Sequence, residues 1–307
     1  MTLALLSTTK LPSFLGDDHP DEESLFAEDD VLIGALAARG VTARRVPWRQ
    51  RDVRWQDYDL VLVRSAWDYI DDLPGFLEVL HGIEAAGCRL VNPLETIRWN
   101  SDKRYLLALR EAGLPMAPTA ILEPGEDPWR DAQAALEKLG PCETGSVVKP
   151  LVGVGAFGAK RLPERTAALA ELATATRSDP CLIQPYLTSV ATEGEWSFVF
   201  GAGRFLYAAL KTPKAGDFRV QVMYGARTAA KAPAAADRAA AEACLDALPV
   251  TAQVARIDMA RLADGRLALM EAELIEPQLF FHDVPKAAGL VADAVLDLLG
   301  AQSVGPA

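Results

Sequence analysis

Residues 256–273 read Arg-Ile-Asp-Met-Ala-Arg-Leu-Ala-Asp-Gly-Arg-Leu-Ala-Leu-Met-Glu-Ala-Glu, with an Asp-Gly dipeptide at positions 264 and 265. Asp-Gly favours a two-residue β-hairpin turn because both residues tolerate positive φ. With the turn centred on this dipeptide, Asp258 lies opposite Glu271 and Arg256 lies opposite Glu273. Side chains alternate between the two faces of a strand, so these four share one face. The pattern predicts a hairpin that crowds three carboxylates and one guanidinium together.

The carboxylates of this hairpin have two interpretations. Like charges that lie directly opposite each other destabilise a sheet, so a hairpin that keeps Asp258, Glu271 and Glu273 indicates a bound hard cation such as Mg²⁺, which takes oxygen ligands. The alternative is a structural ion pair between Arg256 and Glu273 on a half-solvated surface. The hairpin alone leaves both open.

Length and composition narrow the class of protein. The chain has 307 residues, half of them apolar, which is enough for a sizeable core and two or three globular modules. Its net charge of −11 argues against a nucleic-acid surface, so a small-molecule substrate is expected. No segment approaches the about 18 to 20 uninterrupted apolar residues of a membrane span, and the N-terminus has no basic signal region, so we expect a cytoplasmic protein without a membrane partner. The four scattered cysteines disfavour a zinc site and a disulfide framework. Assembly into a homo-oligomer is left open.

Three modules are predicted, with boundaries at residues 1–95, 96–190 and 191–307. The first alternates strands and helices as βαβ units do, which predicts a small Rossmann-like parallel sheet. Its predicted strands are 3–6, 42–46, 60–63 and 89–91, and its predicted helices are 22–39 and 76–86. The later modules mix helices with hairpins, so the fold class is α/β followed by two α+β units.

The later modules are predicted in less detail. Ser101 is expected to cap a helix at 102–112 that opens the second module. The elements expected after it are extended segment 119–122, helix 131–139, strand 146–148, helix 167–176 and strand 181–184. In the third module hairpins predominate from residue 197, and the alanine-rich segment 229–247 has the polar side of an amphipathic helix.

A glycine-rich loop follows the predicted strand 146–148. It begins at Lys149 and contains Gly153, Gly155 and Gly158. Glycines let backbone amides approach an anion that a lysine neutralises, so phosphate is the expected ligand. The lysine precedes the glycines, so neither the Walker spacing nor the dinucleotide-binding fingerprint is present. The loop indicates a nucleotide site only in combination with the carboxylate hairpin.

A polar segment, Arg64-Ser65-Ala66-Trp67-Asp68-Tyr69, follows the predicted strand 60–63. Open α/β sheets present ligand-binding groups just past their strand ends, so this segment is expected to recognise the substrate. In that interpretation Arg64 pairs with a carboxylate and Asp68 with an ammonium group, with Ser65 between them in the chain. Trp67 either contacts the substrate or packs an interface between modules.

Four features in one order resemble the ATP-grasp superfamily over nearly the whole chain. They are an early lysine, Lys103, a second lysine, Lys149, before the glycine loop, a strand that ends in Gln184-Pro185-Tyr186-Leu187, and the carboxylate hairpin. The resemblance implies an ATP-grasp fold whose modules enclose ATP, with one or two Mg²⁺ ions at the hairpin carboxylates. It also implies that Lys103 and Lys149 hold the ATP phosphates.

The same resemblance implies roles around the rest of the nucleotide. The segment Gln184–Leu187, with Gln184, Tyr186 and Leu187, is implied to offer backbone groups to adenine. Glu195 is implied at the ribose hydroxyls, and Glu193 is the alternative because insertions blur the alignment there. The basic residues implied over the transferred phosphoryl group are Arg219 and Arg256, with Lys211 as a third. For Arg219, an isolated ion pair with Asp217 is the alternative.

Four longer strings are similar to the cycloserine-synthetase branch of the superfamily: Arg64-Ser-x-Trp-Asp-Tyr69, Trp99-Asn-Ser-Asp-Lys103, Gly216-Asp-Phe-Arg-Val-Gln221 and Glu271-x-Glu-Leu-Ile-Glu-Pro277. More distant similarity extends to glutathione synthetases and D-alanine:D-alanine ligases. The last string adds Glu276 to the implied substrate-binding residues. It also places Glu273 where those ligases usually have Asn, which adds negative charge beside the metal.

The implied activity is that of an ATP-dependent carbon–nitrogen ligase. A substrate carboxylate attacks the γ-phosphoryl group of Mg-ATP, and a nitrogen nucleophile then displaces phosphate from the acyl phosphate. Within the cycloserine-synthetase branch this implies cyclisation of an amino-acid-like substrate, O-ureido-D-serine, to D-cycloserine for antibiotic biosynthesis. The alternatives are an amino-acid or peptide ligase of the glutathione-synthetase type and a non-catalytic ATP-binding protein.

Overall fold

The computed structural model of the protein describes residues 1–9, 22–140, 142–175 and 179–300. The N-terminal elements are β1 (Thr2–Ser7), α1 (Glu22–Ala37), β2 (Thr42–Pro47), β3 (Leu60–Ser65), α2 (Leu73–Ala85) and β4 (Arg89–Val91). The four strands form a parallel sheet in the order β2-β1-β3-β4. The predicted parallel sheet is therefore confirmed.

Alternation along β1 explains how both faces of this sheet are covered. Leu3 and Leu5 belong to the same buried cluster as residues of α1 and of the C-terminal helix. Ala4 and Leu6 point the other way, into the cluster that contains residues of α2. All six residues of β3 are buried, as expected for a parallel strand between two helical layers.

The central part of the chain forms an antiparallel sheet with helices on one side. Its elements are α3 (Leu94–Asn100), α4 (Tyr105–Glu111), β5 (Ala120–Leu122), α5 (Pro128–Leu139), β6 (Ser146–Pro150), β7 (Lys160–Leu162), α6 (Arg165–Ala175) and β8 (Cys181–Pro185). The strand order is β5-β8-β6-β7. Asp127 accepts a hydrogen bond from the Arg130 amide, so α5 begins three residues before the predicted start. Residue 176, the predicted end of α6, lies outside the described residues.

The helix predicted at 102–112 is wrong in its first turn. Ser101 ends α3, where its hydroxyl donates to the carbonyl of Arg98, and it does not cap the next helix. The main-chain N–H of Lys103 instead donates to the carbonyl of Leu151, at 3.0 Å. This contact holds the backbone of Lys103 against the start of the glycine loop, so α4 begins only at Tyr105.

The C-terminal elements are α7 (Ser189–Thr192), β9 (Glu195–Gly201), β10 (Arg204–Thr212), β11 (Arg227–Ala230), α8 (Ala235–Asp246), β12 (Val254–Arg261), β13 (Leu267–Glu273) and α9 (Ala287–Gly300). The strands form an antiparallel sheet in the order β11-β10-β9-β12-β13. The helix predicted over 229–247 is too long. Pro233 disfavours helical geometry at the residue before it, and the chain up to Ala230 pairs with β10 as an edge strand.

The β12–β13 hairpin has the predicted pairing but not the predicted turn. Arg256 lies opposite Glu273 and Asp258 opposite Glu271, as expected. At the other end, Leu262 and Arg266 close a three-residue loop in which Gly265 has a φ of 87°. That loop shifts the register of the two strands by one residue. A bulge at Met270 restores the predicted register. Met270 has no partner, because Asp258 pairs with Glu271 and the next residue, Met259, pairs with Leu269.

Packing between the N-terminal and C-terminal sheets is direct. The side-chain amide of Asn92 donates to the carbonyls of Val254 and Leu274, both at 2.7 Å. Helix α9 packs on α1, so the end of the described chain covers the N-terminal sheet. The proposed boundaries at residues 95 and 190 stay a prediction. Across the described ranges, no helix combines the length and apolar content needed to cross a bilayer.

Candidate active site

A cavity of about 550 Å³ lies where the three sheets meet. Each sheet supplies polar side chains to it, among them Arg64 and Ser65, Lys149 and Gln184, and Asp258 and Glu271. The predicted substrate segment, glycine loop and carboxylate hairpin are far apart in sequence. The fold brings all three to one cavity.

Asp258 is surrounded by hydrogen-bond donors. Arg256 donates to its two oxygens through Nε at 2.9 Å and Nη2 at 2.8 Å. Lys211 Nζ and Ser197 Oγ donate to the same carboxylate at 2.8 and 2.6 Å. Burial opposes ionisation of Asp258, but the two cations outweigh burial and hold the pKa of this carboxyl well below its usual range. Asp258 is an ionised carboxylate whose two oxygens accept four hydrogen bonds here, so a metal ion bound to it would displace some of these donors.

The other hairpin carboxylates repel one another. Arg256 pairs with Glu273, as one of the two interpretations predicted. Burial, with Asp258 and Glu271 nearby, nevertheless raises the pKa of Glu273 to about 7 against the effect of Arg256. Burial and the charge of Glu273 likewise raise the pKa of Glu276 to about 8. The predicted crowding of negative charge is present, and a divalent cation would relieve it.

The carboxylates suit Mg²⁺ in chemistry, because oxygen ligands are what this ion prefers. In the part of the chain that the structure describes, no group of three or more Asp, Glu, His or Cys side chains is arranged to hold an ion. Lys103 Nζ lies 3.1 Å from Glu271 Oε1, and Arg256 pairs with both Asp258 and Glu273. Each carboxylate therefore has a cationic side chain as its partner here, and the metal assignment stays a prediction.

The glycine loop meets the hairpin through Lys103. The ammonium of Lys103 donates to the carbonyl of Gly153 at 3.0 Å. Lys103 lines the cavity together with Lys149 and Gly155. Gly155 has a φ of 59°, which favours glycine. Gly158 does not line the cavity. A Cβ there would come within 2.8 Å of Pro150 Cγ, so close packing with that ring explains the third glycine.

The residues implied at adenine line one end of the cavity. Gln184 is buried, its amide nitrogen donates to Thr119 Oγ1 at 2.9 Å, and its Oε1 has no hydrogen-bond partner among the described residues. Tyr186 donates its main-chain N–H to the carbonyl of Gly145 and accepts from Thr144 through its own carbonyl. The unpaired acceptor of Gln184 can therefore take a donor such as an adenine amino group.

The two candidates for the ribose have different environments. Glu195 lines the cavity and pairs with Lys211 at 2.6 Å. Glu193 does not line the cavity. It accepts from Arg261 and Trp196, and the bond from Arg261 is the main reason that the pKa of Glu193 is lowered. The geometry favours Glu195.

The three candidate cations differ in access to the cavity. Arg256 and Arg219 line it, whereas Lys211 is buried behind Asp258 and Glu195 and is absent from the lining. The structure therefore corrects the expectation that Lys211 reaches the transferred group, because two carboxylates hold its ammonium outside the cavity. Arg219 also forms the ion pair with Asp217 that the alternative predicted, at 2.8 Å, and its guanidinium lies 3.7 Å from the Tyr224 ring centroid.

The N-terminal segment reaches the cavity through Arg64, Ser65 and Trp67. The guanidinium of Arg64 is buried and is already bound. Its Nη1 donates to the carbonyl of Pro277 at 2.7 Å and its Nη2 to Glu28 at 3.1 Å. Trp67 stacks on Phe26 with ring centroids 6.2 Å apart, so it both packs against α1 and faces the cavity.

The expected contact between Asp68 and a substrate is contradicted. Asp68 is fully buried, does not line the cavity, and accepts hydrogen bonds from Trp48 Nε1 at 2.6 Å and Arg49 Nε at 2.9 Å. The residues after β3 form a 3₁₀ turn, Trp67–Asp71, which directs this side chain into the N-terminal core. Asp68 is a packing residue.

Sequence reasoning missed two acidic residues on α1. Glu28 and Asp29 line the cavity, and both lie within 4 Å of the Arg64 guanidinium. A signal was available, because Asp29 has helical spacing to Leu32 and Leu36, which are fully buried. An acid on the buried face of an amphipathic helix indicates a specific partner.

Two family models match the chain. The model of the D-cycloserine synthetase DcsG N-terminal domain matches residues 3–92, and the model of the prokaryotic glutathione synthetase ATP-grasp domain matches residues 131–253. The cycloserine biosynthesis protein DcsG of Streptomyces lavendulae is 31% identical over 264 residues, which are 81% of this chain and 86% of that protein.

Two solved structures are similar over most of their length. The crystal structure of D-cycloserine synthetase DcsG has a TM-score of 0.81 at 26% identity and covers 97% of this chain and 100% of its own. D-alanine–D-alanine ligase from Bacillus anthracis, complexed with ATP, has a TM-score of 0.71 at 18% identity and covers 98% of this chain and 99% of its own. The resemblance and fold class drawn from the sequence are confirmed. The chain belongs to the D-cycloserine synthetase family of ATP-grasp enzymes and is an ATP-dependent ligase.

Proposed function

We propose that the protein cyclises O-ureido-D-serine to D-cycloserine with hydrolysis of ATP. The observation that carries this proposal is the single cavity in which the N-terminal substrate segment faces the glycine loop and the carboxylate hairpin. That cavity can hold a small amino acid and the γ-phosphate of ATP together. Similarity to DcsG over most of the chain supports the choice of substrate.

The reaction has two displacements. The substrate carboxylate attacks the γ-phosphorus and ADP leaves, which forms an acyl phosphate. The ureido nitrogen bonded to oxygen then attacks the acyl carbon, phosphate leaves and the nitrogen loses its proton. Both ends of the new bond belong to one molecule, so binding supplies the orientation. Water must then cleave the bond between the ring nitrogen and the carbamoyl carbon, so that the ring nitrogen regains a proton and the carbamoyl group leaves as carbamic acid, which decomposes to CO₂ and ammonia.

The cavity residues divide this work. Arg219 and Arg256 line the cavity and are fixed by carboxylate partners, and they would stabilise the charge that develops on the transferred phosphoryl group. Lys149 contributes a further positive charge beside the glycine loop. Bound Mg²⁺ would neutralise phosphate charge, and Asp258, Glu271 and Glu273 would hold it. Gln184 and Glu195 would bind adenine and ribose.

Steady-state ADP release with O-ureido-D-serine tests the proposal, with D-cycloserine detected by mass spectrometry. We expect ATP-dependent and Mg²⁺-dependent formation of D-cycloserine at a stoichiometry of one ADP per ring. Formation of a linear amide or peptide from another amino acid would support the glutathione-synthetase type of ligase instead. Absence of ADP release with every amino acid and O-substituted serine supplied would support a non-catalytic ATP-binding protein.

A further inference from the structure

Helix α1 places a partly unpaired carboxylate in the cavity. Asp29 is 2% exposed and lines the cavity together with Arg64 and Ser65 of the N-terminal part of the chain. One oxygen, Oδ2, accepts a hydrogen bond from the hydroxyl of Ser65. The other, Oδ1, lies 3.7 Å from Arg64 Nε, which is beyond hydrogen-bond distance. Among the described residues, Asp29 Oδ1 has no hydrogen-bond donor.

Arg64 gives its hydrogen bonds to groups other than Asp29, while its Nε, which has no hydrogen-bond partner among the described residues, lies 3.7 Å from Asp29 Oδ1. Its two terminal nitrogens donate to Pro277 and to Glu28, and Glu28 in turn accepts from the main-chain amides of Leu279 and Phe281 at 2.9 and 3.0 Å. These bonds fix the segment that follows the hairpin and satisfy the Glu28 carboxylate. The partly exposed Glu28 and the buried Asp29 therefore share one guanidinium, and of the two only Asp29 keeps an oxygen without a hydrogen-bond donor among the described residues.

A buried carboxylate in this state would be stabilised by a further positive partner. Burial raises the pKa of Asp29, with Arg64 and Ser65 opposing that effect, so its charge is only partly compensated. An ammonium group donates up to three hydrogen bonds and carries one positive charge. Ser65 Oγ keeps its own lone pairs after donating to Asp29, so it adds a second acceptor at the same place.

We propose that Asp29, with Ser65 beside it, binds the ammonium group of the substrate. The ligand is therefore a zwitterionic α-amino acid, whose ammonium group lies at α1 while its carboxylate faces the phosphoryl-transfer residues. This inference rests on the proposed function and makes Asp29 the residue that selects amino acids over simple carboxylic acids.

The test compares Asp29→Asn with a matched control. Asp30→Asn makes the same change one residue later on α1, at an exposed side chain whose ion pair with Arg45 at 3.3 Å lies outside the cavity. We expect Asp29→Asn to raise the KM and the calorimetric Kd for O-ureido-D-serine roughly 10- to 150-fold, with the KM for ATP changed less than twofold. Asp30→Asn should leave all three constants near wild type.

A ligand analogue separates direct contact from indirect disturbance. 3-(Ureidooxy)propanoate lacks only the amino group. Wild type should bind it as weakly as Asp29→Asn binds O-ureido-D-serine, and Asp29→Asn should bind the two ligands about equally. If removal of the amino group weakens binding to wild type and Asp29→Asn by the same factor, Asp29 does not contact the ammonium and the inference is overturned.

The same measurements keep this inference distinct from the proposed function. Wild type that binds O-ureido-D-serine without forming D-cycloserine would overturn the proposed reaction, while the analogue comparison still decides on Asp29. If O-ureido-D-serine does not bind, the comparison uses whichever D- or L-amino acid raises the Tm of the ATP-bound enzyme. Failure of every amino acid to bind would overturn both.

A second variant serves if Asp29→Asn does not fold. Ser65→Ala is expected to reduce the preference for O-ureido-D-serine over 3-(ureidooxy)propanoate by a smaller factor. An unchanged preference in Ser65→Ala would then contradict the inference.

Discussion

Lys103 Nζ lies 3.1 Å from Glu271 Oε1, so an ammonium from the central module is paired with the middle carboxylate of the C-terminal hairpin. The same ammonium donates to the carbonyl of Gly153 in the glycine loop. Burial opposes the charge of Glu271, but Lys103 and Lys149 outweigh it and hold the pKa of this carboxyl below its usual value. Glu271 is thus ionised, which is the form that the predicted Mg²⁺ site requires.

Glu271→Gln is expected to lower turnover by at least about 100-fold, because the variant loses a charged oxygen ligand for Mg²⁺. ADP release measured across Mg²⁺ concentrations checks this. Asp264→Asn in the same hairpin is the control, since that side chain is at the exposed turn and pairs with Arg266. Wild-type turnover of Glu271→Gln at limiting Mg²⁺ would remove this residue from the metal site.

Lys149→Ala is expected to weaken ATP binding by roughly 10- to 150-fold and to leave Tm within about 2 °C of wild type. Lys149 lines the cavity, and among the described residues its ammonium has no hydrogen-bond or ion-pair partner, so its loss should cost the fold little. Nucleotide titration with a thermal melt measures both. Lys160→Ala, at an exposed lysine of β7 that pairs with Glu171 of α6, should bind ATP normally. Equal ATP affinity in the two variants would place phosphate binding elsewhere.

The pKa of Glu276 gives a pH-dependent prediction for the metal-free protein. A glutamate has a pKa of about 4.3 when unfolded, and burial with Glu273 nearby raises that of Glu276 to about 8. Between these values the folded state holds a proton that the unfolded state has lost, so stability falls as pH rises. Glu276→Gln removes this loss. Its Tm should match wild type near pH 4.5 and exceed it by a few degrees at pH 8.5, and parallel curves would contradict the assigned shift.

The hairpin shows what the sequence could and could not predict. Alternation and the Asp-Gly dipeptide gave the correct pairing of Asp258 with Glu271, yet the turn has three residues and a bulge at Met270 compensates. The longer turn and the bulge shift the register in opposite directions, so the alternation of side chains along the two strands does not reveal either of them. The cavity residues Lys103, Lys149 and Glu271 were predictable because their order along the chain resembles that of ATP-grasp enzymes.

The substrate end was harder to predict, for a physical reason. The position of Arg64 and Ser65 follows from the end of β3, and both line the cavity. The direction of Asp68 depends on the 3₁₀ turn after the strand, and the approach of Asp29 depends on how α1 packs on the sheet. Neither is local in sequence, so the sequence points to Asp68, which lies within the motif, and not to Asp29, which lines the cavity.

The ribose assignment leads to a prediction with an internal control. Glu195 lines the cavity and accepts from Lys211, whereas Glu193 lies outside it and ties Arg261 to Trp196. We expect Glu195→Gln to raise the KM for ATP about tenfold, near the lower limit for a charge-assisted hydrogen bond. Glu193→Gln should instead lower Tm by a few degrees with the KM for ATP unchanged, because it breaks a structural ion pair.

Substitution of the nucleotide completes this prediction. If Glu195 accepts from a ribose hydroxyl, wild type should bind 2′-deoxy-ATP or 3′-deoxy-ATP more weakly than ATP, because one buried acceptor is then left without its donor. Glu195→Gln should discriminate much less between the same nucleotides, and Glu193→Gln should discriminate as wild type does. If Glu195→Gln still discriminates fully between ATP and the deoxynucleotides and Glu193→Gln does not, Glu193 and not Glu195 binds the ribose. Changing both the side chain and the hydroxyl measures the coupling between them directly.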